Sequence, residues 1–452
     1  MYKLDLDRAI ARFSELLIYE TVAGNTDEFR KFKNAIKVIY PHIAENCEAE
    51  LIGDLGLMYY LRGKDSNKSI VLMAHYDVVP AVSDIRWDWH PFSGEIVDTP
   101  DGGEIWGRGA VDTKCTLCAT MEAVEALLEE GFTPEYDIYM CFGGDEETEG
   151  KSAVEIAKNL ENRGVRPFLI LDEGGAVIDL PKSISLDNKR NKNADTGGRV
   201  ALVGIAEKGY MDIEFIARGK GGHTSLPVNN NPLTTIGEVV HRLRNPFKIK
   251  ISEPFKIMRN KAASHAGFKL KTVLKSELLQ KLFLPKIAKK VPELGALTQT
   301  TGAITLISGG SAANVVPEEV RAVGNFRIIT GSSVSETLEI IKRHLRGLDV
   351  EINVLEASEP SKISKISGEG WEMLNSAIEA TWKGAAVIPY LMIAGSDSRA
   401  YSDISDNIYR FSPMLMTKDE RHSIHGMNEK ISIKNFEKMI KFYIRLLKGD
   451  KS

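Results

Sequence analysis

Hydrophobic positions in the first 180 residues follow helical and strand periods in turn. Apolar residues recur at helical spacing in some stretches, and short continuous apolar runs, typical of buried strands, lie between them. This alternation of helix and strand predicts a mostly parallel sheet covered by helices. The predicted elements, in chain order, are a helix over 4–20, a strand over 69–74, a helix between Asp112 and Gly131, a strand over 137–142, a helix over 152–163 and a strand over 167–171.

The pattern changes near residue 205 and changes back after about residue 360. Between these points strands and helices follow an order typical of a small α+β domain with an antiparallel sheet. At 452 residues the chain is also long for one hydrophobic core. We therefore predict a first domain formed by residues 1–204 and 359–452, with a second domain inserted over residues 205–358. The elements predicted for the insert are strands over 210–217, 303–306, 320–329 and 350–355 and helices over 232–243 and 333–345.

Composition narrows the class of protein without changing this architecture. Hydrophobic residues make up 43% and charged residues 27% of the chain, and 58 Lys and Arg against 62 Asp and Glu give a net charge of -4. No nucleic-acid recognition motif accompanies this balance, so no nucleic-acid partner is predicted. The N-terminal residues include acids where a signal peptide needs a basic start, and no apolar run approaches the ~20 residues of a membrane span. We expect a cytoplasmic protein without a membrane partner.

The segment 246–290 is unusually basic, with 12 Lys or Arg, two acids and interleaved apolar residues. Such a segment can mark a membrane surface or an acidic partner. More often it is the solvated face of helices packed on a domain, which is the interpretation we favour. Cys115 and Cys118 are spaced like half of a zinc or redox motif, but no second pair follows them. We interpret them as buried thiols one turn apart in a helix.

Acids and histidines recur where predicted strands end. Because ligands bind at the carboxyl ends of strands in an open α/β sheet, these side chains are expected to converge. Carboxylates with one imidazole per metal suit Zn²⁺, Co²⁺ or Mn²⁺ rather than a thiolate site. The candidate metal-binding positions are His75, Asp112, Glu147, an acid at Asp172 or Glu173, and His425.

Each position also has an ordinary structural interpretation. An Asp just before a helix, such as Asp112, is usually an N-cap, and the acidic loop 145–149 would be stable on a solvated surface. In a two-metal site, Asp112 would instead place one oxygen on each ion. One of the adjacent Glu146 and Glu147 would then be a ligand and the other a free base. The recurrence of such residues along the chain favours the metal site.

Six strings carry a resemblance to a known family. Together they resemble, over nearly the whole chain, the co-catalytic two-zinc peptidases and aminoacylases, and most of all the branch of Gly-X carboxypeptidase and N-acyl-amino-acid hydrolase. The strings are His75-Tyr-Asp-Val-Val-Pro80, Trp89-His-Pro-Phe-Ser-Gly94, Gly107-Arg-Gly-Ala-Val-Asp-Thr-Lys114, Asp145-Glu-Glu147, Leu171-Asp-Glu-Gly-Gly175 and Ile424-His-Gly-Met-Asn-Glu-Lys430.

The resemblance implies a zinc-peptidase-like α/β catalytic domain and an inserted α+β lid or dimerisation domain. It also implies a role for each candidate in binding two divalent metal ions, most often Zn²⁺. For the acid beside His75, we favour Asp172 and keep Glu173 open. The implied roles are His75 on one ion and His425 on the other, Asp112 as the bridge, Glu147 beside His425, Asp172 or Glu173 beside His75, Glu146 as the general base and Asp77 as its supporting acid.

Further matches lie outside the metal ligands. His223 resembles a lid histidine that stabilises the reaction intermediate from the partner subunit in dimeric relatives, so a homodimer is expected. Asn314 resembles a substrate-contacting residue. Arg327 and Arg399 are candidates for gripping a substrate carboxylate, although Arg327 fits an ordinary ion pair on a strand equally well.

The expected reaction is hydrolysis of an amide or peptide bond next to a free carboxylate, as in a carboxypeptidase or dipeptidase. An N-acyl-amino-acid amidohydrolase is the alternative, with a small peptide or an N-acyl amino acid as the substrate. A non-catalytic metal-binding scaffold is a third interpretation. The presence of both Glu146 and Glu147 argues against it, because a dead copy has no need of the base.

Overall fold

The structure is a computed structural model that describes residues 4–81, 87–180, 198–225, 231–266, 268–276 and 284–449. Its helices are α1 (Leu6–Leu17), α2 (Thr26–Ile39), α3 (Pro41–Asn46), α4 (Lys114–Glu129), α5 (Lys151–Asn162), α6 (Pro232–Arg242), α7 (Glu253–His265), α8 (Phe268–Lys275), α9 (Pro292–Thr298), α10 (Val334–His344), α11 (Glu369–Thr381), α12 (Lys418–Ser423) and α13 (Ile433–Lys448), with a 3-10 helix at Asp397–Tyr401.

The strands are β1 (Glu48–Ile52), β2 (Gly56–Leu61), β3 (Asp65–His75), β4 (Glu95–Val97), β5 (Glu104–Trp106), β6 (Tyr136–Gly143), β7 (Leu169–Asp179), β8 (Arg199–Glu207), β9 (Gly209–Arg218), β10 (Gly222–His223), β11 (Thr301–Ser308), β12 (Val315–Val316), β13 (Glu319–Ile328), β14 (Glu351–Ser358), β15 (Ala386–Met392), β16 (Ile408–Leu415) and β17 (Lys430–Ser432).

The central sheet has eight strands in the order β1-β2-β6-β3-β7-β16-β8-β15. Its middle strands β6, β3, β7 and β16 pair in parallel, and β8 pairs in parallel with β15. Alternate residues of β3 join different hydrophobic clusters: Leu72 lies in one and Val71 in the other, so both faces of the sheet are covered. The predicted α/β class with a mostly parallel sheet is confirmed.

Strand β7 is longer than predicted and carries a bulge. The sequence predicts a strand that ends at Leu171, but β7 continues to Asp179. In its pairing with β16, Asp172 lies opposite Arg410 and Gly175 lies opposite Phe411, so Glu173 and Gly174 are extra residues on β7. A bulge of this kind turns side chains away from the regular alternation and is common beside active sites.

A second sheet lies within the predicted insert. Its four strands pair antiparallel in the order β11-β13-β9-β14, and helices α6 and α10 share a separate hydrophobic core with it. The chain passes from β8 to this sheet at Glu207–Gly209 and leaves it after Ser358. The division into residues 1–204 with 359–452 and residues 205–358 remains a prediction.

The basic segment packs in part on the central sheet. Met258 and Ala262 of α7 pack against a cluster that contains Val200 of β8 and Ile388 of β15. This contact agrees with the favoured interpretation of helices packed on a domain, although residue 267 and residues 277–283 lie outside the described part. Among the described residues, no helix is both long enough and apolar enough to cross a membrane.

Several elements near the N-terminus have no counterpart in the sequence prediction. The first helix ends at Leu17 rather than residue 20, and α2, α3, β1 and β2 follow before the first predicted strand. Cys115 and Cys118 are buried in α4 as free thiols, as predicted.

Candidate metal centre

Three neighbouring strands bring candidate ligands to one edge of the central sheet. His75 is the last residue of β3, Glu146 and Glu147 follow the end of β6, and Glu173 lies in the bulge of β7. The order β6-β3-β7 and the parallel pairing place these carboxyl ends side by side. This is the edge at which open α/β sheets bind ligands.

Asp112 lies between the two histidines that were predicted for different metals. Its Oδ1 is 3.3 Å from His75 Nε2, and its Oδ2 is 3.1 Å from His425 Nε2. The same nitrogen of His425 is 3.1 Å from Glu147 Oε1. The side chain of Asp112 therefore faces the two imidazoles, and Thr113 occupies the N-cap position of α4.

The acid next to His75 is Glu173 rather than Asp172. Glu173 Oε2 is 3.6 Å from His75 Nε2. The carboxylate of Asp172 instead accepts hydrogen bonds from the backbone N–H groups of Ser398 (2.9 Å) and Glu173 (2.9 Å). The geometry therefore disagrees with the preference for Asp172, because the bulge turns the following residue towards the site.

Asp77 holds both sides of the site together. His75 Nδ1 is 3.0 Å from the backbone oxygen of Asp77, which leaves Nε2 directed at the acids. The carboxylate of Asp77 accepts hydrogen bonds from the N–H groups of Glu146 (3.2 Å) and Glu147 (3.0 Å). Asp77 thus fixes the backbone of the proposed base as well as the ring of a proposed ligand.

The cluster has the electrostatics of a cation site. Burial raises the pKa of Glu146 to about 10 and the pKa of Glu173 to about 7, with His75 opposing both shifts. Hydrogen bonds to Asp112 and Glu147 raise the pKa of His425 to about 10. Buried carboxylates that repel each other are costly without a cation, so divalent ions would relieve the cost that raises these pKa values.

The donor atoms are close enough to share metal ions. One ligand atom each from His75, Asp112 and Glu147 lie within 4.8 Å of one another, and so do ligand atoms from His75, Glu146 and Glu173. Imidazole nitrogens with carboxylate oxygens are a ligand set that zinc and similar divalent ions accept. The residues present therefore fit a metal centre.

A cleft of about 820 Å³ opens beside Glu146. Arg327 and Arg399 both line it, together with Tyr210. The Arg327 guanidinium lies 5.1 Å from the centre of the Tyr210 ring and its Nε donates to Asn325. Among the described residues Arg327 has no ion-pair partner, so the alternative of an ordinary ion pair on the strand has no support.

Arg399 differs from Arg327 because its guanidinium is already paired. Its Nε and Nη2 both donate to Oε2 of Glu207, at 3.2 and 3.0 Å, and Nη1 donates to Ser358 Oγ at 2.9 Å. Glu207 and Ser358 lie where the chain enters and leaves the second sheet. Arg399 therefore connects the two crossing segments, whereas Arg327 lines the cleft without an ion-pair partner among the described residues.

His223 and Asn314 are adjacent in the second part of the molecule. The short strands β10 and β12 pair His223 with Val315, and the N–H of Thr224 donates to the backbone oxygen of Asn314 at 3.2 Å. Both side chains are exposed. The described contacts of His223 are with Ser225 and not with the metal-binding cluster.

Sequence reasoning assigned no role to two fully buried acids, Glu207 and Glu429. Glu429 belongs to one of the quoted strings, and its position four residues after the predicted ligand His425 could have pointed to a role near the metal centre. Glu207 had no signal in the sequence, because its partners Arg399 and Arg410 are about 200 residues away.

Known proteins resemble this chain in sequence and in fold. Residues 71–449 match the model of Peptidase family M20/M25/M40. A probable carboxypeptidase S-like 2 of Dictyostelium discoideum is 31% identical, covering 97% of this chain and 84% of that protein. An N-fatty-acyl-amino acid synthase/hydrolase of Xenopus tropicalis is 31% identical over 94% of this chain and 81% of its own length.

A solved structure agrees with the fold. The M20 family metallo-carboxypeptidase of Sulfolobus solfataricus superposes with a TM-score of 0.71 at 19% identity, covering 97% of this chain and 98% of the other. The chain belongs to Peptidase family M20/M25/M40. The predictions of a metal-dependent hydrolase and of this branch of the family are confirmed.

Proposed function

We propose that the chain hydrolyses an amide or peptide bond next to a free carboxylate, using two divalent metal ions. The observation that carries this proposal is the position of Asp112, whose two oxygens face His75 and His425 at 3.3 and 3.1 Å. One carboxylate between two imidazoles is the arrangement that a bridged two-metal site needs.

The ligands in this proposal are His75, Glu173, Asp112, Glu147 and His425. Their nitrogen and oxygen donors suit Zn²⁺, with Co²⁺ or Mn²⁺ as alternatives. Bound ions would supply Lewis acidity and would lower the pKa of water beside them.

Glu146 is the proposed general base. Its carboxyl group lines the cleft and belongs to the cluster around His75, while its backbone N–H is held by Asp77. From there Glu146 takes a proton from the attacking water and passes it to the amine that leaves. Burial raises the pKa of Glu146, and divalent ions bound beside it would lower that pKa towards the neutral range, where a carboxyl group can both accept and donate a proton.

Arg327 is the proposed partner of the substrate carboxylate. The planar guanidinium suits a carboxylate because it can form two parallel hydrogen bonds. The ring of Tyr210 lies against the guanidinium at the cleft. This contact would limit the orientations of the Arg327 side chain and hence those of a substrate carboxylate bound to it.

The test of this function is the Glu146→Ala variant of the full chain. It is expected to keep the bound metal and to lose at least a hundredfold in kcat, because proton transfer typically contributes 10²- to 10⁴-fold. Glu155→Ala is the control: Glu155 is an exposed acid on α5, shortly after the acidic loop, and is not among the residues that line the cleft. Near-normal turnover by Glu146→Ala would contradict the assignment.

Two substrate classes share this chemistry. The relatives include a carboxypeptidase-like protein and an N-fatty-acyl-amino acid hydrolase, and both names describe an amide bond beside a carboxylate. The cleft next to Glu146 carries charged residues such as Lys362, Glu356 and Glu359, and this polar lining favours a small peptide. A panel of dipeptides and N-acyl amino acids, with chelator controls, distinguishes the two.

We also propose that the chain acts as a homodimer. The exposed His223 has no described contact with the metal cluster of its own chain, and the strand β11 exposes Leu306 and Ile307. A second copy would cover these apolar side chains and would supply His223 to the neighbouring site. A sedimentation measurement that gives only monomer at working concentration would contradict this proposal.

A further inference from the structure

We propose that Glu429 and Arg108 form a buried ion pair, called the lock below, that holds the loop carrying Asp112 at a fixed distance from the segment carrying His425. This inference rests on the proposed two-metal function. Both side chains lie outside the ligand set, and both are buried, with 0% of Glu429 and 2% of Arg108 exposed. We assign them as positioning residues because they act through Asp112 and His425.

Glu429 gathers the loop that carries Asp112. Its Oε1 accepts hydrogen bonds from the N–H groups of Val111 (2.8 Å) and Asp112 (3.0 Å). Its Oε2 accepts from the N–H of Gly109 (3.1 Å) and from Arg108 Nη1 (2.7 Å). Every partner is a donor, and one of them is the backbone N–H of the proposed bridging ligand itself.

Arg108 connects this loop to the segment that carries His425. While Nη1 is bonded to Glu429, Nη2 donates to the backbone oxygen of Gly426 at 2.8 Å. The N–H of Gly107 also donates to the backbone oxygen of Glu429 at 3.0 Å. Two stretches more than 300 residues apart in sequence are thereby tied at several points.

The backbone around His425 explains why such a tie is needed. His425 has φ of 56° and Asn428 has φ of 58°, and both lie in the left-handed region that side chains other than glycine rarely adopt. Such a conformation persists only when its surroundings hold it. Asn428 is held by hydrogen bonds with Asp88, and Gly426 is held by Arg108.

The chemistry of Glu429 makes the lock testable by one conservative change. Gln has the same shape, but its amide NH₂ would face N–H donors where the carboxylate oxygen now accepts them. Glu429→Gln should therefore shift the Asp112 loop without emptying the core. In metal sites, loss of such an outer partner typically weakens metal binding or activity by 10- to 100-fold.

The experiment titrates Co²⁺ into the metal-free full chain and follows both affinity and the visible absorption of the bound ions. For Glu429→Gln we expect the two Co²⁺ ions to bind at least tenfold more weakly and their visible absorption spectrum to change. Glu125→Gln is the matched control, because Glu125 is 1% exposed and accepts N–H bonds from His42 and Ile43 away from the site. Its affinity and spectrum should match the wild type even if its melting temperature falls.

A second variant keeps the test valid if Glu429→Gln fails to fold. Arg108→Lys keeps the buried charge but lacks the planar fork that joins Glu429 to Gly426, and it should also weaken binding and alter the spectrum. Wild-type affinity with an unchanged spectrum in the folded variants would overturn the lock. If the wild-type chain itself bound no pair of ions, the proposed function would fail instead, so the two failures are distinguishable.

Discussion

Replacing Asp77 by Asn should reduce activity without unfolding the protein. Asp77 is 2% exposed, and its two carboxylate oxygens separately receive the N–H groups of Glu146 and Glu147. Asn has one oxygen acceptor, so one of these bonds is lost and an NH₂ group faces a donor in its place. A hydrogen bond to a charged group contributes about 2 kcal/mol, which corresponds to about 30-fold in rate if the loss falls on the transition state.

The assay compares kcat/KM, metal content and thermal stability for Asp77→Asn and Asp137→Asn. Asp137 is 4% exposed and also receives two donors, the N–H of Gly63 (2.8 Å) and the hydroxyl of Tyr60 (3.0 Å), at the other end of β6. Both variants should lose stability, but only Asp77→Asn should lose activity by roughly the 30-fold expected for one charged hydrogen bond. If Asp77→Asn stays within about threefold of the wild type, Asp77 does not position the base, because threefold is under 1 kcal/mol.

Two further predictions concern the ligand set and the substrate. Glu173→Gln should lower the bound metal from about two ions to about one per chain, whereas Asp172→Asn should retain both; the opposite result in elemental analysis would restore the preference for Asp172. Arg327→Ala should raise KM about tenfold or more for substrates with a free carboxylate but not for their amides, since a charged hydrogen bond is lost. Arg321→Ala is the control, because Arg321 lies on the same strand β13 as Arg327 but forms ion pairs with Glu214 and Glu319, and it should change neither KM. Equal effects of Arg327→Ala on both substrate types would exclude the carboxylate clamp.

Much of the fold was predictable because the hydrophobic pattern is strong. The second half of strand β3, residues 70–74, is a continuous apolar run, and the strands β9 and β13 alternate, so both the period and the burial agree with the structure. The helix α2 and the hairpin of β1 and β2 were not predicted. The signal for α2 was present, because Phe29, Phe32 and Ile36 are buried at helical spacing. The hairpin gave no alternation to recognise, because β1 is largely exposed and β2 is almost wholly buried.

The candidate site was predictable in its residue types but not in its geometry. The acids and histidines of the sequence pointed to His75, Asp112, Glu147, Asp172 or Glu173, and His425, and the family resemblance added a role for each. The choice between Asp172 and Glu173 was not readable from the sequence, because it depends on a bulge defined by the pairing of β7 with β16.

The role of Arg399 was also beyond sequence reasoning. An Arg in a loop near the site suggests a free cation for a carboxylate. Its actual partner, Glu207, lies 192 positions away and is fully buried. Burial of such a carboxylate requires paired cations, which Arg399 and Arg410 provide. Only the folded chain reveals that this arginine is already occupied.

The central claim is that two divalent ions held by this cluster are required for amide hydrolysis. The most direct measurement removes metal from the full chain with a chelator and then restores Zn²⁺ stepwise while hydrolysis of a dipeptide and of an N-acyl amino acid is followed. We predict no turnover without metal and a rise that saturates at two ions per chain, with no recovery in Glu146→Ala. Hydrolysis that persists after complete metal removal, or that saturates with no ion bound near Asp112, would contradict the account.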